Sequence, residues 1–212
     1  MLRRAPRSTQ GRSSAASDVY KRQEKATLAT QRMLIGLGDA GRTRSLLIGA
    51  SMRDGSQVAA LTGLDVLTMP TKAAAQYEES PASRLSPQID TDPDVQLADG
   101  IRFEDFDATT LWNVPQAFRG CVEGLLREDV DSMTPEDVQS HFARHGFEDF
   151  LPEWSTQDID TATADGKIPV LARWQERLLR GDVGLDALMN LSAFGAFATD
   201  QRALDDRIRL LI

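Results

Sequence analysis

The chain has 212 residues, of which 41% are apolar, 26% charged and 6% aromatic, the profile of a globular protein and not of a disordered or fibrous one. Its net charge of −8 is unevenly placed: residues 1–23 carry +5 (Arg3, Arg4, Arg7, Arg12, Lys21 and Arg22 against Asp18), which leaves −13 on residues 24–212. Nucleic-acid and membrane partners are therefore not expected, since so acidic a body repels phosphates and no apolar run reaches the roughly 18 residues of a membrane helix, while a single cysteine, Cys121, rules out an internal disulfide framework and fits the cytoplasm.

The head of the chain reads Ser-Ser-Ala-Ala-Ser-Asp-Val-Tyr-Lys-Arg-Gln over residues 13–23. This is similar to the translation of a sequencing-library adapter that ends in a transposase recognition sequence. The expectation is that residues 1–23 are non-native and disordered, that native coding begins near Glu24, and that the true N-terminus is missing.

From Glu24 the elements follow in order. Residues 24–42 are rich in alanine and long side chains and predict a helix that stops around Gly36–Gly41. Ser45–Ser51 is a short apolar run suited to a strand buried on both faces. Ser56–Gly63 predicts a short helix with Ser56 as cap, Asp65–Pro70 a second buried strand, and Thr71–Ser80 another helix. Helix, strand, helix, strand, helix with short connections implies parallel strands. Residues 81–110 read as a loop that ends in the acidic-aromatic run Phe103-Glu104-Asp105-Phe106-Asp107.

Beyond that loop the pattern is helical. Val114, Phe118, Val122 and Leu125 share one apolar face, and Thr134-Pro135-Glu136-Asp137 is a helix start whose helix ends at Gly146. Residues 155–166 read as an acidic small-residue loop, followed by helices over Ile168–Arg180 and Ala187–Ile212, the latter open to a break near Gly195. No internal repeat or sustained heptad is visible. Two strands make no stable sheet alone, so either the chain carries further strands that the pattern does not show or it is the C-terminal part of a larger α/β protein, and the adapter-like head favours the second.

A resemblance sits at the strand exits. Leu47-Ile48-Gly49-Ala50-Ser51-Met52-Arg53-Asp54, followed by the stretch from Gln57 to Pro70, resembles the transaldolase and fructose-6-phosphate aldolase family, in which the seventh barrel strand runs into Ala-Ser-(Phe/Ile)-Arg-Asn and the eighth reads like Leu-Thr-Ile-Pro. Phe197-Ala198-Thr199-Asp200-Gln201-Arg202-Ala203-Leu204 is similar to the family's terminal helix. Asp54 stands where asparagine is usual, Thr62 where alanine is usual, and residues 81–185 are longer than the family pattern.

The resemblance implies the C-terminal part of a (β/α)8 TIM barrel: an adapter-like head at 1–23, the last βα units at 24–80, and a loop-rich, helical extension at 81–212. It implies a class I, Schiff-base enzyme that moves a dihydroxyacetone unit between sugar phosphates in the pentose phosphate pathway. The alternatives are an aldolase of the fructose-6-phosphate type or a non-catalytic helical interaction module. Ser51 and Arg53 would bind the substrate phosphate. A hydroxyl and a forked, permanently charged guanidinium suit that ligand, with the Gly55 and Ser56 amides adding a helix start. The imine-forming lysine is not expected here: outside the head the chain holds only Lys25, Lys72 and Lys167, so it would lie upstream of Glu24 and this chain would be inactive. No cofactor is implied, and a homo-oligomer is compatible with the sequence.

Other features have plainer readings. His141 and His145 are four apart, but no HExxH pattern completes them, and an ordinary helix surface with a C-terminal cation accounts for them without a metal. Cys121 reads as a small core residue, and Trp112, Trp154 and Trp174 as helix anchors. Gly36, Gly38 and Gly41 precede a strand, so they are no dinucleotide fingerprint.

Overall fold

The computed structural model describes residues 10–80, 86–95, 102 and 108–211, with side chains from Lys21 onward. The acidic-aromatic run at 103–107 lies outside the described residues. Among those described, the chain forms eight α-helices, two short 3-10 turns and one sheet of two strands, each two residues long. It is mostly helical, and the expected C-terminal part of a TIM barrel is not what it builds. Barrel strands are buried on both faces between several neighbours. Here Leu46 and Ile48 are 67% and 59% exposed. The chain divides into two compact units, Met1–Asp99 and Gly100–Ile212.

The first unit opens with α1 (Gln10–Asp39), which the glycine-rich turn with Gly41 at φ +68° ends. After α1 come β1 (Ile48–Gly49), α2 (Gly55–Ala60), β2 (Val66–Leu67) and α3 (Thr71–Glu78). The strands pair in parallel, Ile48 opposite Val66 and Gly49 opposite Leu67. One oxygen of Asp65 accepts hydrogen bonds from Gln31 Nε2 of α1 (3.0 Å) and from the Leu47 amide before β1 (2.8 Å). Leu28, Met52, Val58, Leu61, Leu64 and Ala73 form the core beneath. A Cβ on Gly55 would stand 2.6 Å from the α3 backbone at Gln76 and Tyr77, so only glycine lets α2 lie this close to α3.

The second unit contains α4 (Gln116–Leu125), α5 (Pro135–Arg144), α6 (Thr156–Asp165), α7 (Leu171–Arg180) and α8 (Leu185–Arg209). Residues 155–166 were expected as a loop and are the cap and body of α6. The Ser155 hydroxyl accepts from the Asp158 amide while the Asp158 carboxylate accepts from the Ser155 amide, a capping box that sets the first turn despite weak helix formers behind it. Thr134 and Asp137 start α5 in the same way. Ala162, Trp174, Leu178, Val183 and Leu188 form the core, with Trp154 edge-on to Trp174 at 6.2 Å. Phe118 of α4 packs against Phe142, Phe147 and Phe150 with ring centroids at 5.6, 5.1 and 4.9 Å.

Asp165 ties the end of α6 to α7: its carboxylate accepts from the Val170 amide and Trp174 Nε1, each at 2.9 Å, and pairs with Arg173. Burial pushes this carboxyl up, but those three donors outweigh it and hold it below the ordinary carboxylate range. The stabilisation is therefore complete above about pH 4 and is lost as pH falls through the lowered value. Asp165→Asn turns an NH2 toward these donors, so we expect it to cost about 1–3 kcal/mol at pH 7 and to flatten the acid limb of the stability curve below pH 4, as read by denaturant melts across pH.

α8 runs unbroken through Gly195, where a Cβ would stand 2.5 Å from Thr163 Oγ1 of α6. On α4, a Cβ at exposed Gly120 meets nothing within 4 Å. Removing a helix-interior glycine gains roughly 0.5–1 kcal/mol, and overpacking costs roughly 1–3 kcal/mol. Gly120→Ala should thus stabilise by about 0.5–1 kcal/mol and Gly195→Ala should destabilise by about 1–2 kcal/mol, two opposite signs that thermal melts will separate.

Candidate functional site

Ser51, Met52 and Arg53 follow β1 as an irregular segment in which only Met52 is buried. Met52 is buried in the first unit's core and anchors the segment, which leaves Ser51 and Arg53 on the outer side. Both line a cavity of about 430 Å³ against α1, whose walls also include Glu24, Thr27, Thr30 and Gln57. The two residues expected to hold a phosphate are thus brought together. Ser51 has φ +62°, the one positive φ of a non-glycine residue among those described. That conformation costs a serine roughly 1–2 kcal/mol, and strain of this kind clusters where a side chain must be aimed.

The two amides expected to assist are not available to a ligand. The Gly55 amide donates to Gln76 Oε1 (3.1 Å), and the Ser56 amide to Asp54 Oδ1 (3.0 Å). Asp54, and not Ser56, is the cap of α2: it also accepts from the Gln57 amide and the Ser56 hydroxyl, and the bond from that hydroxyl is the main reason its carboxyl lies below the usual range. A carboxylate at position 54 can only accept, so it consumes the donors that an anion would need. Glu24 across the cavity has its carboxyl pushed up by burial, with Lys21 opposing and Asp54 adding to the shift.

None of the candidate lysines has the setting of an imine lysine. Lys25 Nζ lies 2.7 Å from Asp92 and bonds the Pro93 carbonyl. Lys72 is exposed in the first turn of α3, and the exposed Lys167 stands 5.2 Å from the Phe197 ring centroid. Elsewhere the surface reading of the histidines is corrected: His141 is 2% exposed and faces α4, beside buried Cys121. Its apolar neighbours on α5 gave no sign of this; the available signal was Cys121, one turn beyond Phe118 on the inner side of α4. Trp174 is a buried anchor as expected.

Among the described residues no helix is long and apolar enough to cross a membrane. Comparison with protein-family models, with curated proteins and with solved structures finds no match to this chain.

The strain at Ser51 gives a direct test. Glycine relieves the left-handed penalty but adds chain entropy to the unfolded state, so Ser51→Gly should raise stability by about 0.5–1 kcal/mol in chemical denaturation while removing the hydroxyl from the cavity.

Proposed function

We propose that the first unit binds the phosphate of a phosphorylated sugar, as the phosphate-binding part of a transaldolase-like enzyme of the cytoplasm that transfers a dihydroxyacetone unit between sugar phosphates in the pentose phosphate pathway, and that its own residues do not carry the transfer step. The reading rests on the resemblance of residues 47–70 and 197–204 to the transaldolase and fructose-6-phosphate aldolase family. The observation that carries it is the convergence of Ser51 and Arg53, the two residues the resemblance assigns to phosphate, on one cavity, with Ser51 held in a costly conformation there. Arg53 supplies the forked charge and Ser51 a hydroxyl that can donate. Lys25 is paired with Asp92, and Lys72 and Lys167 are exposed, so in this chain the cavity binds a sugar phosphate and forms no imine.

A second reading, a helical interaction module, is favoured by one observation. Phe194, Phe197 and Leu204 lie along one side of α8 and are 72%, 60% and 57% exposed. An apolar strip of that kind marks a docking face, here for a second copy of the chain.

Calorimetric titration with fructose 6-phosphate, fructose and inorganic phosphate separates the readings. A single charge-assisted bond contributes about 1.5–3 kcal/mol, so fructose 6-phosphate should bind at least about tenfold tighter than fructose, and Arg53→Ala should erase that preference. Borohydride treatment with fructose 6-phosphate should leave every lysine unmodified. Equal binding of both sugars, together with a dimer that Phe197→Asp dissociates in sedimentation, would establish the interaction module instead.

A further inference from the structure

In the second unit, α4 and α5 bring three metal-ligating side chains together. Cys121 Sγ and one ring nitrogen from each of His141 and His145 all lie within 4.8 Å of one another. The two imidazoles, one helical turn apart, face each other with centroids 4.5 Å apart. Cys121 and His141 are buried and His145 is exposed, so the cluster has a closed inner side and an open outer one.

The hydrogen bonds decide which ring nitrogens are available. His145 Nδ1 lies 2.7 Å from the His141 carbonyl, which can only accept, so Nδ1 carries the hydrogen and Nε2 keeps its lone pair. His141 faces an acceptor on both sides: Nε2 is 3.0 Å from the Cys121 carbonyl, and Nδ1 is 3.3 Å from a Glu128 carboxylate oxygen without a well-formed hydrogen bond. The Cys121 carbonyl can only accept, so Nε2 carries a hydrogen and Nδ1 is the buried nitrogen left without a hydrogen bond. In a side chain 2% exposed an unpartnered nitrogen is costly, and a cation bound there satisfies it.

We propose that Cys121, His141 and His145 bind a single thiophilic divalent cation, of which Zn2+ is the type, through Sγ and one ring nitrogen of each histidine. His141 Nε2–H then donates to the Cys121 carbonyl and His145 Nδ1–H to the His141 carbonyl, the arrangement that fixes tautomer and ring orientation around bound zinc. A sulfur and two imidazole nitrogens match zinc, whose bonds of roughly 2.0–2.3 Å require the three donors to draw in from their present spacing. Exposed His145 has the freedom to make that movement. Burial pushes the Cys121 thiol up, so it is protonated before the ion arrives; coordination forms the Zn–S bond, breaks S–H and releases that proton to solvent. The open side leaves the fourth position to water.

The test uses the full chain, stripped with chelator and titrated with Zn2+ and separately with Co2+. One ion should bind per chain, the melting temperature should rise with added Zn2+, and bound Co2+ should show a sulfur-to-metal charge-transfer band with the d–d bands of a tetrahedral site. His145→Ala, at an exposed position, should weaken Zn2+ binding at least tenfold without changing the melting temperature of the metal-free chain. Cys121→Ala should abolish the charge-transfer band; if that variant fails to fold, His145→Ala decides alone. Zn2+ binding unchanged in His145→Ala, or Co2+ bound by the unmodified chain without the sulfur band, would overturn the assignment.

Discussion

A pair of two-residue parallel strands is not self-supporting, and in the first unit one carboxylate makes up the deficit. Two backbone bonds flank the pairing, from the Val66 amide to Leu47 and from the Thr68 amide to Gly49, and pairs this short are marginal in water. Asp65, at the foot of β2, reaches across to the Leu47 amide at the foot of β1 and to Gln31 on α1. The bond from the Leu47 amide is the main cause of its lowered carboxyl pKa, followed by the bond from Gln31. The same oxygen therefore sets the strands side by side and holds α1 over them. The cavity at the exit of β1 exists because α1 is held there, so the position of Ser51 and Arg53 depends on a residue that lines no part of it.

The second unit uses the same chemistry for a different end. Its helices are joined by carboxylates that accept from backbone amides: Asp137 and Asp158 close capping boxes, and Asp165 gathers an amide, an indole and a guanidinium. Arg177 reaches from α7 to Asp158 at 2.6 Å, tying the start of α6 to the helix that follows it. The acidity of the body is thus partly structural. Several of the acids that give the chain its negative charge are committed to amides and to arginines within their own unit.

Local chemistry was legible in the sequence; the architecture was not. Thr134-Pro135-Glu136-Asp137 stated its helix start outright, and Pro70 and Gly146 marked boundaries within a residue or two of where they fall. The apolar runs at 45–51 and 65–70 read as fully buried strands, yet an apolar run specifies only a preference for burial, and with no third strand among the described residues most of each run stays outside the ladder. Residues 155–166 were misread because composition was weighed over position: Ser155 and Asp158 are three apart, and that spacing outranks the threonines behind it. At the candidate site, the residue types at 51 and 53 were readable, whereas the capture of the Gly55 and Ser56 amides depends on Gln76 and on the rotamer of Asp54. His141 was missed because periodicity says which residues share a helix face but not which face a neighbouring helix covers.

The close approach of α6 and α8 has an evolutionary consequence. Thr163 fills the space that a side chain at position 195 would occupy, and the hydroxyl and the missing methyl are complementary halves of one contact. A methyl at 195 meets the Thr163 hydroxyl first, and losing that hydroxyl removes the 2.5 Å contact and leaves the tighter-than-usual 3.1–3.2 Å approach of the residue-163 Cα and Cβ. The two positions, 32 residues apart in sequence, are therefore free to drift only as a pair, and descendants of this chain should show them changing in opposite directions of size.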